Sequence, residues 1–120
     1  MMEIKRLEVG PRMSQAVIHG DKIYFSGQVS SEPVGDVKGQ TTAILKQIDG
    51  LLARCGTNKA GLLSANIYLA DINTFSQMNE AWESWAAEGA LPARTTVEAK
   101  LAGPEYLVEI TVIAASQALQ

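Results

Sequence analysis

The stretch Pro92 to Ala99, PARTTVEA, opens an alternating run with an arginine, and Glu109 stands fifteen residues further on in a second such run, Tyr106 to Ala115. A proline just ahead of an alternating run marks a loop entering a strand, which places Arg94 at a strand mouth where neighbouring elements can enclose its head. A guanidinium is a planar fork of N–H donors matched to a carboxylate, and a carboxylate can take a proton from water. The two runs are expected to pair as a hairpin through Leu101 to Glu105, whose Gly103-Pro104 pair signals a turn. A register setting Thr96 opposite Glu109 would bring Arg94 and Glu109 to one face; a shift of one residue would separate them. Residue type and spacing leave two readings open. One is a cross-strand ion pair at a sheet edge, contributing under about 1 kcal/mol when exposed; the other is a pair that handles a ligand.

Other chemistries find few residues to carry them. His19 is the one histidine and Cys55 the one cysteine, so a zinc site would need mainly carboxylates and no disulfide framework or Cys-x-x-Cys site can form. No metal is expected. His19 abuts a turn, there is no Gly-x-Ser-x-Gly elbow for a serine nucleophile, and the glycine-rich phosphate loops are missing. These absences leave chemistry that needs no cofactor. Cys55 falls on the apolar stripe of a helix and reads as a small core residue. Trp82 and Trp85, with no basic residue interleaved, read as helix packing rather than a base-stacking platform.

The elements that must position Arg94 and Glu109 follow from hydrophobic periodicity. Residues 3–8 read as an edge strand broken by Gly10 and Pro11, and Ala16 to His19 and Ile23 to Gln28 read as a hairpin about a Gly20-Asp21 turn. Val37, Thr41, Ile44, Ile48, Leu51, Leu52 and Cys55 recur at helical spacing, with Asp36 as cap and Gly56 as stop. Leu63 to Ala70 reads as a strand. Phe75, Met78, Trp82 and Trp85 repeat the helical stripe, with Asn73 as the expected cap and Gly89 as the stop. The order predicts an α+β fold: a single mixed sheet with two helices packed on one face. Its other face, if apolar, must meet another subunit.

At 120 residues the chain is expected to be one domain, residues 1–120, and 47 % hydrophobic residues is a generous share for so small a core. Thirteen acidic residues against ten basic ones give a net charge of -3, without a lysine- or arginine-rich run, so nucleic acid is not an expected partner. The longest uncharged runs, Ala60 to Ala70 and Ile110 to Gln120, fall well short of the ~20 apolar residues that span a bilayer. No membrane association is expected. Glu3, Lys5, Arg6 and Glu8 interrupt the amino terminus, which does not read as a signal peptide; the cytoplasm is the expected compartment.

Three segments resemble the Rid family, the YjgF-type reactive intermediate deaminases: LPARTTVEAKLAGPEYLVEI (Leu91 to Ile110), YFSGQV (Tyr24 to Val29) and IYLADINTFSQMNEAW (Ile67 to Trp82). The likeness runs along nearly the whole chain, and the first segment is the specific one. It implies a chorismate-mutase-like fold assembled as a homotrimer, with a cleft for a small-molecule 2-imino acid at each subunit boundary. It also implies that Arg94 grips the ligand's carboxylate and that Glu109 holds or activates water, giving a 2-oxo acid and ammonia. The main chain at Gly27 and Thr96 would line the site, and Asn79 would be a further contact. Where many relatives carry a Gly-Pro-Tyr segment, this chain reads GPRMSQAV, Gly10 to Val17, with Arg12 and Met13 near the tyrosine's place. A non-catalytic trimeric binder of small carboxylates would use the same arginine, and ribonuclease activity, known for some relatives, fits poorly with a chain lacking a basic groove.

Overall fold

In the computed structural model, which describes residues 2–116, the elements follow in the order β1 (Ile4–Val9), β2 (Ser14–His19), β3 (Lys22–Phe25), β4 (Gln28–Val29), α1 (Val37–Arg54), β5 (Leu62–Leu69), α2 (Phe75–Trp85), β6 (Ala93–Glu98) and β7 (Val108–Ala115). All seven strands form one mixed sheet in the order β1-β2-β3-β7-β5-β6, with β4 also pairing β7. The predicted single sheet with two helices on one face is what forms. No helix among the described residues is long and apolar enough to cross a membrane.

The expected hairpin of β6 and β7 does not form, because β5 lies between them. It pairs parallel with β6, matching Ala65 to Arg94 and Tyr68 to Val97, and antiparallel with β7, matching Tyr68 to Glu109. The Gly103-Pro104 turn does reverse the chain, but β7 returns one strand further along. Apolar burial explains the insertion: Leu62, Ala65, Ile67 and Leu69 of β5 are all buried, so this strand belongs inside the sheet. The parallel link from β5 through α2 to β6 is a strand-helix-strand crossover, which supplies the length that a parallel pairing needs.

Helix α1 begins at Asp36, whose carboxylate accepts a hydrogen bond from the Gly39 N–H at 2.9 Å. It ends in a Schellman arrangement: Thr57 N–H donates to Leu52 O and Gly56 N–H to Ala53 O, both at 3.0 Å, and Gly56 takes the positive φ of 78° that this stop requires. Ile44, Leu45, Ile48 and Leu52 of α1 and Met78 of α2 meet Ile23, Ile67, Ile110 and Val112 of the sheet in one buried cluster. Each fully buried aliphatic side chain contributes roughly 1.5–3 kcal/mol. Among them lies Gln40, fully buried, whose Nε2 donates to Pro33 O and Glu105 O at 3.1 Å while its Oε1 accepts from Leu107 N–H at 3.0 Å. It staples the start of α1 to the loop that feeds β7.

Among the described residues no helix covers the opposite face of the sheet. Ile4, Tyr24 and Val97 are exposed there, with Tyr68 and Ile113 half-buried between them.

Candidate active site

Arg94 points from β6, the edge strand, toward the helix side of the sheet, where α2 meets it. Asp71, not Asn73, caps the turn before α2, accepting from the Asn73 N–H at 2.9 Å. Glu98 at the far end of β6 accepts from the Ile72 N–H at 3.0 Å and so ties the strand to the helix start. The helix stops at Trp85, four residues before the expected Gly89, which instead sits at a positive φ of 82° in the loop that follows. With strand and helix fixed in this way, Arg94 Nη1 donates to Asn79 Oδ1 at 2.7 Å, and its guanidinium carbon stands 5.4 Å from the Trp82 ring centre and 5.7 Å from that of Phe75.

The guanidinium is half-buried, and desolvation pulls its pKa below the usual arginine value, with the charge of Glu83 acting the other way. Among the described residues no carboxylate forms an ion pair with it. It borders a cleft of about 730 Å³ that Asn79, Trp82, Glu83, Glu88 and Leu91 also line.

Glu109 belongs to a second cleft, of about 360 Å³, which it shares with Gly27, Tyr68, Lys100 and Thr111. The run expected as one strand, Ile23 to Gln28, is broken at Ser26 and Gly27, and the two pieces pair separately with β7. Thr111 Oγ1 donates to Phe25 O at 2.8 Å across the break. A Cβ built on Gly27 would lie 2.9 Å from the Glu109 Cδ and 3.2 Å from its Cγ, so the carboxylate rests against a backbone that only glycine leaves open.

The five residues singled out in the sequence thus fall into two groups. Arg94, Asn79 and Thr96 share the helix side of the β6 edge; Gly27 and Glu109 share the open face. The register that would have put Arg94 beside Glu109 is absent, since Tyr68 aligns with both Val97 and Glu109 and Arg94 is three residues from Val97. An odd spacing along a strand reverses the face. Ala99 N–H donates to Leu69 O at 2.9 Å, so the alternation of a parallel ladder turns the main-chain groups of Arg94, Thr96 and Glu98 away from β5, toward the sheet's edge. The Thr96 hydroxyl is buried and has no hydrogen-bond partner among the described residues.

The family model described as Endoribonuclease L-PSP matches residues 3–116. A RutC family protein of Haemophilus influenzae is 43 % identical over 114 residues, covering 94 % of this chain and 98 % of its own. This chain is a member of the Rid (YjgF/RutC) family. The crystal structure of NMB1025 of Neisseria meningitidis, a YjgF-family protein, superposes with a TM-score of 0.93 at 43 % identity over 97 % of both chains. YyfA of Yersinia pestis, described as a Rid protein of unknown function, does so with a TM-score of 0.82 at 34 % identity, over 89 % of this chain and 90 % of its own.

In this Rid chain Arg12 and Met13 are exposed in the bend between β1 and β2. Sequence periodicity places Phe75 and Trp82 on the apolar stripe of α2 and reads Trp82 as helix packing. Trp82 is indeed buried, yet its ring also flanks Arg94, and Phe75 is 41 % exposed. The available signal was the spacing: positions 75, 79 and 82 stack on one face of a helix.

Proposed function

We propose that this Rid-family chain hydrolyses 2-imino acids and their enamine tautomers to 2-oxo acids and ammonia, without a cofactor, in sites formed where two copies of a homotrimer meet. The observation that carries the reading is the half-buried Arg94 guanidinium, with which no carboxylate among the described residues forms an ion pair. A buried cation is costly unless an anion completes it, and a bidentate carboxylate is the match for its fork. The homotrimer reading is supported by the helix-free sheet face, with Ile4, Tyr24 and Val97 exposed on it.

In this reading Arg94 binds the ligand's carboxylate, with the main chain of Thr96 and Gly27 beside it. Glu109 takes a proton from water as the oxygen attacks the imine carbon, forming a carbinolamine. It then returns the proton to nitrogen, the C–N bond breaks with its electron pair leaving on ammonia, and the hydroxyl proton is lost as the carbonyl forms. Overall, one iminium and one water give one 2-oxo acid and one ammonium ion. Holding the reactants in place removes orientational entropy from the barrier, and proton transfer contributes typically ~10²–10⁴-fold.

The test is 2-iminopropanoate generated in place by an amino-acid oxidase. Arg94→Ala abolishes accelerated imine loss with the fold intact; undiminished activity removes the assignment. Glu109→Gln separates the enzyme from a non-catalytic carboxylate binder, since the enzyme loses turnover but keeps affinity for pyruvate. The ribonuclease reading meets a net charge of -3 and no basic run.

A further inference from the structure

The guanidinium of Arg94, in no ion pair among the described residues, is held by a device on α2. Phe75, Asn79 and Trp82 occupy one helix face and all three meet the guanidinium: two aromatic rings with centres 5.7 and 5.4 Å from its carbon, and one neutral amide oxygen 2.7 Å from Nη1. Among the described residues neither Nε nor Nη2 has an acceptor. We propose that Phe75, Asn79 and Trp82 are positioning residues, which clamp the guanidinium without neutralising it and present its Nε–Nη2 edge to the carboxylate of a small acid.

The choice of neutral partners is the physical point. A cation in a half-buried place needs compensation, and a carboxylate in direct contact would supply it most strongly but would compete with the ligand for the same fork. Glu83 and Glu88 line the cleft, and the charge of Glu83 reaches Arg94 without forming an ion pair. Ring faces attract the cation through their quadrupole and leave its in-plane donors unused. The amide oxygen takes one N–H of Nη1 and sets rotation about the fork. The side-on pair Nε–Nη2 is left, and its two parallel N–H groups suit one carboxylate. A guanidinium already in position loses less freedom on binding, which favours affinity.

This inference rests on Arg94 as the carboxylate site, so the experiment includes Arg94→Ala. Pyruvate is the binding probe, titrated calorimetrically into the assembled protein, alongside KM and kcat with 2-iminopropanoate. Asn79→Asp places a carboxylate on Nη1 and is expected to weaken pyruvate binding at least about tenfold. Phe75→Leu, at a partly exposed position, is expected to raise KM about threefold or more with kcat nearly unchanged, and Phe75→Tyr to restore it. Thermal midpoints near that of the wild type keep these effects separate from unfolding. Wild-type binding in Asn79→Asp together with a wild-type KM in Phe75→Leu overturns the clamp while Arg94→Ala remains inactive. Wild-type pyruvate binding in Arg94→Ala overturns the carboxylate site itself.

Discussion

Arg94 and Glu109 stand on opposite faces of one sheet, with Tyr68 of β5 aligned directly beside the glutamate and Ala65 of the same strand beside the arginine. A single chain therefore does not bring the two groups together. A site that uses both takes the Arg94 edge from one copy and the Gly27–Glu109 cleft from another, which is what a closed ring of identical subunits offers at every boundary.

That arrangement predicts complementation. Arg94→Ala and Glu109→Gln are each expected to be inactive alone, yet mixed by joint refolding they should regain about a quarter of wild-type activity, since half the boundaries receive an intact arginine and half of those an intact glutamate. Measured imine loss in the mixture checks this. A mixture as inactive as its parents means that both groups act from one chain.

Gly27→Ala is expected to fold, because the atoms it meets are the far end of a flexible side chain. The new methyl displaces the Glu109 carboxylate, so turnover should fall at least about tenfold while pyruvate affinity changes little. Steady-state kinetics and calorimetry read the two effects separately.

Gln40→Leu should destabilise the protein by on the order of 2–4 kcal/mol, because the Leu107 N–H and the carbonyls of Pro33 and Glu105 lose the side chain that they share. Urea unfolding measures the loss. A midpoint unchanged from the wild type would mean that water replaces all three bonds.

Burial pushes the Cys55 thiol up from its ordinary pKa, with Arg54 opposing the shift and Glu8 adding to it. The folded state therefore resists forming the thiolate. Below the unfolded thiol's pKa both states are protonated and Cys55 contributes no pH dependence; as pH rises beyond it, the unfolded chain loses its proton first and stability falls. Cys55→Ala should flatten that alkaline decline in thermal midpoint, and the wild-type thiol should react slowly with a disulfide reagent near pH 8.

Much of this molecule was legible from residue order because helices, caps and strand faces are local. The α1 stripe, its Asp36 cap and the Gly56 stop follow from spacing and from one glycine's freedom at positive φ. The Arg94 strand mouth and the Glu109 strand were legible for the same reason, as was the resemblance carried by Leu91 to Ile110. Which strands are neighbours was not legible. A Gly-Pro turn reports that the chain reverses, and β7 does run against the direction of β6, but adjacency is decided by which strands gain from burial between two neighbours. Burial of Leu62, Ala65, Ile67 and Leu69 sends β5 between them, and that one insertion parts Arg94 from Glu109 and turns the helix face of Phe75, Asn79 and Trp82 toward the arginine. Local patterns record the elements; competition among strands for the buried centre of the sheet, a property of the whole chain, decides which side chains meet.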